Sequence, residues 1–255
     1  MNALILAAGQ GKRLGNLGKL QPKCLTEIFG KPIIERQIET LDNEKINPIY
    51  IVTGYKNVFL KKYNLIEFYN DQYESTNMVY SMFKANDLFK KNEEDLIISY
   101  GDIIYENNNL AKLIESDAEI SIMVDLNWRK LWSIRFSNPL DDAETMKIDE
   151  GLNIIELGKK TEDYNEIQGQ YTGLLKFRKD SLPKIKSHYE NLKSNIRDYK
   201  NLFMTDFIQL LIDSGLEVKA VPVFGGWLEI DTENDIKCYE KLIESKELNE
   251  YYRIQ

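Results

Sequence analysis

The sequence predicts an α/β fold: one domain with a mostly parallel, Rossmann-like sheet and an antiparallel, β-rich lid inserted over it. Three observations carry this. Short apolar runs at 3–7, 48–53 and 95–100 read as strands that are greasy on both faces, as buried parallel strands are. Helical spacings alternate with them; Ile33, Ile34, Ile38 and Leu41 follow Pro32, a good first-turn residue. Near the middle, 127–158 breaks into short alternating runs flanking a Glu150-Gly151 turn, which is a hairpin pattern.

Bulk properties bound the rest. The chain has 255 residues, enough for one sizeable core, and is read as one domain over 1–255 with the lid at about 127–170. Apolar residues make up 43%, and the net charge is −8, so nucleic acid is not an expected partner. Cys24 and Cys238 are the only cysteines, in neither a metal-type spacing nor a disulfide framework. No secretory signal is visible and no run approaches the ~18 apolar residues of a membrane helix, so no membrane partner is expected and a cytoplasmic location is. Nothing in the residues decides an oligomeric state.

The first strand runs into a loop carrying Gly9, Gly11, Gly15 and Gly18, with Lys12 and Arg13 in its middle and Lys23 behind Pro22. Glycines after a strand let backbone N–H groups turn toward an anion, which the cations neutralise. The natural ligand is a polyphosphate. A dinucleotide loop needs G-x-G-x-x-G, but Gly9, Gly11 and Gly15 are spaced one residue too long, and Gln21, Pro22 and Lys23 do not continue as a helix. A P-loop needs Gly-Lys-Ser/Thr, which does not follow this strand. A solvated structural loop would have no need of Arg13 and Lys23.

The match without a gap is L-A-A-G-x-G-x-R-L followed by P-K, Leu6 to Lys23. On these residues the chain resembles the sugar-nucleotidyltransferase superfamily, whose members couple a nucleoside triphosphate to a phosphorylated small molecule. The likeness implies the nucleotide-diphospho-sugar transferase type of sheet. It also implies nucleotide binding by Leu6, Ala7, Ala8, Gly9, Gly11 and Lys12, and catalytic work by Arg13 and Lys23. The Gly54-Tyr55 pair, after the second strand, is expected to help read the base.

At 70–81 (NDQYESTNMVYS), Ser75 or Thr76 is expected to cap a helix whose Met78, Met82, Ala85 and Phe89 form one apolar face. The bland reading is an ordinary capped helix. The family reading, from an N-x-x-Y-S segment in similar cytidylyltransferases, puts Asn77 and Ser81 near the nucleotide.

The strand at 95–100 ends in Gly101-Asp102. Ligands of open α/β sheets collect beyond the carboxyl ends of strands, so Asp102 points where phosphates should lie and suits Mg²⁺, which takes hard oxygen donors. The superfamily keeps a metal-binding aspartate there. A helix at 107–116 and a strand at 119–125 follow.

The lid is the richest source of candidate acceptor contacts: Trp128, Arg129, Trp132, Arg135, Asp141, Asp142 and Glu144. Trp128 and Trp132 beside carboxylates could hold an ammonium by cation–π contact, with Arg129 nearby, or merely pack the hairpin. The strand at 168–177 contains Y-T-G-L-L, which resembles the strand closing the acceptor pocket, so Tyr171 and Gly173 are expected there. His188, the only histidine, reads as surface, and Met204, Phe207, Ile208 and Leu211 as a core helix face. A strand at 216–223 is expected next.

In 225–236 (GGWLEIDTENDI), Trp227, Glu229 and Asp231 alternate onto one face, and Thr232 with Asp235 forms a capping box. Two carboxylates on one face repel unless a cation lies between them. Similar superfamily members carry W-x-E/D-I-D-T here, which implies that Asp231 binds the metal and leaves Glu229 a second ligand or an acceptor contact. The W-x-x-x-W and W-L-E-I-D-T segments are similar to small cytidylyltransferases acting on phosphocholine, 2-aminoethylphosphonate or phosphoglutamine. The expected enzyme is therefore an Mg²⁺-dependent nucleotidyltransferase. It would join CMP from CTP to a small amine-bearing phosphate or phosphonate and release pyrophosphate, for capsule or lipid decoration. Alternatives are a hexose- or heptose-1-phosphate nucleotidyltransferase and a non-catalytic nucleotide sensor of the same fold.

Overall fold

The computed structural model describes residues 1–90 and 93–254. Strand β1 (Asn2–Ala7) leads through a 3-10 turn (Lys12–Leu14), a short helix α1 (Gly15–Leu20) and a second 3-10 turn (Lys23–Leu25) into a small ribbon of β2 (Glu27–Ile28) and β3 (Lys31–Pro32). Helix α2 (Ile33–Asn43) precedes β4 (Ile49–Thr53) and β5 (Ile66–Tyr69). Helix α3 (Met78–Met82), a 3-10 segment (Phe83–Phe89), β6 (Leu96–Tyr100), β7 (Ile103–Tyr105), α4 (Asn107–Glu115) and β8 (Ile120–Asp125) follow. Then come α5 (Trp128–Arg135), a hairpin of β9 (Glu144–Ile148) and β10 (Ile154–Lys160), and β11 (Gln170–Phe177). Helices α6 (Leu182–Asn195) and α7 (Met204–Asp213), strands β12 (Val218–Val223) and β13 (Trp227–Glu229), and helix α8 (Glu233–Glu244) complete these elements.

Seven strands form the main sheet in the order β12-β8-β11-β6-β1-β4-β5, with β11 alone running against its neighbours. Strand β1 lies between β6 and β4, so the loops leaving β1 and β6 part at their carboxyl ends and open a crevice there. The two-sided apolar pattern of β1 is used in full. Ala3, Ile5 and Ala7 join one core with α2, α4, α5 and α8; Leu4, Leu6 and Ala8 join a second with α3, α6 and α7. Among the described residues no helix is long and apolar enough to cross a membrane.

Three expectations need correction. The lid is mixed: its first part is helix α5, and only β9 and β10 form an antiparallel pair. Trp128, Leu131 and Trp132 bury one face of α5 at helical spacing, which outweighs the alternation elsewhere in the segment. The helix at 78–89 ends as α-helix at Met82 and continues as the 3-10 segment, which kinks at Ala85, although Met82, Ala85 and Phe89 are buried as their pattern demanded. Its cap is Asn77, whose side chain accepts from the Met78 amide, in place of Ser75 or Thr76.

Candidate active site

Antiparallel pairing of β7 with β13 builds the centre of the site. Glu229 lies opposite Ile103, and the Ile230 amide donates to the Asp102 carbonyl at 2.9 Å. Asp102 and Asp231, distant in sequence, are thereby set side by side. Oxygens of Asp102, Glu229 and Asp231 lie within 4.8 Å of one another. Helix α8 fixes the last of these from behind: Asp235 accepts from the amides of Asp231 (2.9 Å) and Thr232 (2.8 Å) and completes the expected capping box.

The loop after β1 supplies the opposing charge. Lys23 donates to Asp102 at 2.6 Å and also bonds Asp231; Arg13, largely exposed, reaches the other Asp231 oxygen at 2.7 Å. Burial would lower the Lys23 pKa, but Asp102, Asp231 and Glu229 more than offset it and push it up to about 12. Asp231 is itself held below its ordinary range, because Lys23 and Arg13 outweigh its burial. Glu229 goes the other way: burial and the two aspartates raise it to about 7, against the pull of Arg135. Arg135 is fully buried and clamps Glu229 at 2.7 Å and Asp235 at 2.9 Å. The sequence offered Arg135 as an acceptor contact; the structure makes it the brace beneath the carboxylates.

Clefts lie on either side of this charge cluster. A small one, about 50 Å³, is lined by Leu6, Ala7, Gly9, Lys23, Cys24, Met78, Tyr100, Gly101 and Asp102. Gly11 and Gly18 shape the loop above it; a Cβ on Gly18 would sit 2.2 Å from the Gly11 carbonyl, so only glycine lets α1 close on the loop. Ala8 and Gly54-Tyr55 are joined by the Tyr55 amide donating to the Ala8 carbonyl at 3.1 Å. Lys12 is exposed. Asn77 and Ser81 are occupied by protein groups: the Ser81 hydroxyl donates to the Asn77 carbonyl and accepts from Asn70, at 3.2 and 3.0 Å, and the Asn77 side chain donates to the Asn201 carbonyl at 3.3 Å.

The larger cleft, about 170 Å³, lies under the lid. Of the residues expected at the acceptor, Trp132, Tyr171, Gly173 and Glu229 line it, together with Arg13, Tyr100, Asp142, Glu144, Gln170, Thr205, Trp227 and Asp231. Gly173 has φ +82, and a Cβ there would meet the Tyr100 ring at 2.8 Å. Trp128 and Arg129 are not among its lining residues. Trp128 is buried and stacks on Tyr164, over whose ring the Arg129 guanidinium sits at 3.8 Å. Sequence reasoning missed Gln170 and Thr205. A glutamine at the head of an apolar strand, and a threonine in the first turn of a core helix, were the available signals.

Metal fit can be judged from the donors. Asp102 Oδ1 is buried without a hydrogen-bond partner, and three carboxylates converge on one point. Such a set of hard, anionic oxygens suits a divalent cation of the Mg²⁺ type.

A family model for the MobA-like NTP transferase domain matches residues 3–188, most of the chain and all of the glycine loop, Lys23 and Asp102. The chain belongs to this family. As an NTP transferase domain it is 46% identical over 249 residues to the CTP:phosphoglutamine cytidylyltransferase of Campylobacter jejuni, covering 93% of this chain and 98% of that protein. It is 36% identical over 112 residues to the choline-phosphate cytidylyltransferase of Haemophilus influenzae, covering 42% and 46% of the two chains. The fold of this NTP transferase domain is shared with the inositol-1-phosphate CTP transferase from T. maritima, at TM-score 0.73 and 24% identity over 99% of this chain and 98% of that one. It is shared too with the CTP:phosphocholine cytidylyltransferase of Streptococcus pneumoniae, at TM-score 0.71 and 21% identity over 95% and 98%.

Proposed function

We propose that the protein is a cytidylyltransferase that transfers CMP from CTP to a small amine-bearing phosphate or phosphonate and releases pyrophosphate. The observation that carries this is the junction of Lys23, Arg13, Asp102 and Asp231 between two clefts at the carboxyl ends of β1 and β6. The similarity to cytidylyltransferases supports CTP as the donor and phosphoglutamine as one candidate acceptor.

In this reading the nucleotide occupies the small cleft. Leu6, Ala7, Ala8, Gly9 and Gly11 line its path, and Gly54 and Tyr55 bound the base region. The exposed Lys12 and Arg13 meet the β- and γ-phosphates, and Lys23 meets the α-phosphate. Asp102 and Asp231 would hold Mg²⁺, which when bound supplies charge neutralisation at the phosphates. An acceptor oxygen attacks the α-phosphorus in line; a P–O bond forms there, and the bond to the bridging oxygen breaks with its electron pair leaving on pyrophosphate. The acceptor oxygen is already ionised, so no general base is needed, and the protein's work is positioning and charge stabilisation. Asn77 and Ser81 act by shaping the segment around Met78. The product, a CMP anhydride of the acceptor's phosphate or phosphonate, would feed a transferase that moves the head group onto a surface polysaccharide or lipid.

The test is pyrophosphate release with CTP, UTP, GTP, ATP or dTTP and Mg²⁺ against phosphoglutamine, 2-aminoethylphosphonate, phosphocholine and several sugar 1-phosphates. Turnover with CTP and amine-bearing acceptors is the expected result. Turnover with sugar 1-phosphates alone would overturn the acceptor assignment. Nucleotide binding without release under any acceptor would overturn the enzymatic one.

A further inference from the structure

The tryptophan pair of the lid invites the reading that an acceptor's cation rests on aromatic faces. The structure has already given those rings to the chain's own groups. The Arg135 guanidinium stands over the Trp132 ring at 5.4 Å, and the Trp132 N–H donates to Asp142 at 3.1 Å. Trp128 stacks on Tyr164 away from the cleft lining, and Arg129 covers Tyr164. Trp227 packs against Trp132 and gives its N–H to the buried Asp125 at 3.0 Å. Trp132 and Trp227 line the cleft beside Tyr100 and Tyr171, but their N–H groups are given to Asp142 and Asp125, and Trp128 does not line it.

Besides Trp132, the lid presents carboxylates to the cleft. Asp142 and Glu144 both line it. Of the other charged groups there, Arg13 and Asp231 are paired with each other, and Glu229 is paired with Arg135. Asp142 is tied to Trp132, and Glu144 is half-buried, opposite Lys160 across the hairpin and close to the Thr205 hydroxyl. Burial, with the Asp142 and Asp206 charges, lifts the Glu144 carboxyl above its ordinary range against the Lys160 charge and the Thr205 hydroxyl. A carboxylate in that condition is stabilised by a cation arriving with the ligand.

Its position is held from the main sheet. Gln170, buried at the head of β11, accepts from the Glu144 amide at 3.1 Å and donates to the Glu144 carbonyl at 2.6 Å. The carboxamide thus does what a neighbouring strand would do, engaging both backbone groups of one residue. Gln168 repeats the device one step along, accepting from the Ile148 amide through its side chain and donating its own amide to the Met146 carbonyl at 2.9 Å. The hairpin is stitched to the sheet at the residue whose side chain lines the cleft.

We infer that the acceptor carries a primary ammonium that Glu144 binds by charge-assisted hydrogen bonds, with Gln170 as the positioning residue for Glu144. This rests on the reading of the larger cleft as the acceptor site. A primary ammonium offers three N–H donors to a carboxylate, whereas a trimethylammonium offers none and depends on aromatic faces. Glu144 therefore sets the enzyme's choice between two classes of cation, in favour of the smaller.

The experiment compares 2-aminoethylphosphonate, its N,N,N-trimethyl derivative and propylphosphonate as acceptors, with CTP and Mg²⁺, in the unsubstituted protein and in E144Q, E144D and Q170L. The unsubstituted protein should favour the primary amine over both analogues by at least ~10-fold in kcat/KM. E144Q should lose that preference through the acceptor KM, without moving the KM for CTP. E144D, which keeps the charge, should retain part of it, and Q170L should resemble E144Q. Equal use of the trimethyl compound, or an equal loss by E144Q toward the amine and propylphosphonate, would overturn the inference. A calorimetric titration of 2-aminoethylphosphonate into protein with Mg²⁺ and a non-hydrolysable CTP analogue reads the same contact without turnover. Amine binding weakened at least ~10-fold by E144Q would uphold Glu144 even if every acceptor failed to release pyrophosphate, a result that would sink the proposed activity alone. Amine binding unchanged by E144Q would overturn the role of Glu144.

Discussion

The Lys23 ammonium stands 2.6 Å from the Asp102 carboxylate and bonds Asp231 as well. One cation of the glycine loop therefore bridges the two acids that are proposed to hold a metal. Lys23→Ala should lower turnover by ~2–4 kcal/mol of transition-state stabilisation, about 30- to 1000-fold in kcat, as loss of a preorganised charge donor does. The same variant should bind Mn²⁺ more tightly without nucleotide, since the competing charge is gone. Near-normal kcat in a steady-state assay would remove Lys23 from the chemistry, and an unchanged calorimetric Mn²⁺ affinity would show that it does not compete for the carboxylates.

Arg135 has no exposed side-chain surface and is paired with Glu229 and Asp235. Arg135→Met keeps much of the volume but leaves two buried carboxylates without their cation. Breaking a buried pair from one side costs about 3–5 kcal/mol. Urea denaturation should show that loss, together with weaker metal binding as Asp235 releases the Asp231 amide. A stability loss confined to a few tenths of a kcal/mol would mean the brace is dispensable.

The raised Glu229 gives a pH signature. Its carboxyl titrates at about 7 in the folded chain against an ordinary 4.5. Between those values the folded state holds a proton that the unfolded state has lost, so this group's contribution to stability falls as pH rises from 4.5 through 7. Below 4.5 the penalty is absent. The stability difference between E229Q and the unsubstituted protein should move in favour of E229Q across that window in denaturation series, and Mn²⁺ affinity of the unsubstituted protein should rise through pH 7. A difference flat with pH would place the Glu229 titration elsewhere.

Gly18 is where α1 closes on the glycine loop. Gly18→Ala forces its Cβ toward the Gly11 carbonyl, and overpacking of this kind costs about 1–3 kcal/mol. The loop should be displaced, with the KM for CTP rising about 30-fold, which matches about 2 kcal/mol, the middle of that range, while the acceptor KM changes little. A selective rise in the acceptor KM would show that the loop serves the other cleft.

Local pattern made much of this legible. The Gly9–Lys23 loop, Asp102 after its strand, and Asp231 in its capped turn each depend on a few adjacent residues, and each was placed correctly in the chain. The α5 helix is legible too, in the spacing of Trp128, Leu131 and Trp132, although the alternating runs that follow it carry the opposite, strand-like period.

The sequence by itself determined the α/β class, the glycine-rich loop with its cations and the acids at the strand ends, because period-2 and period-3.6 patterns and glycine conformations are local properties. Only the tertiary structure decided which charge meets which. Pairing of β7 with β13 joined Asp102 to Asp231, and α5 docking on α8 turned Arg135 toward Glu229 and Asp235 and left Trp128 stacked on Tyr164. Those contacts join residues far apart in the chain, and the free energy of burying a charge depends on partners that no local window contains.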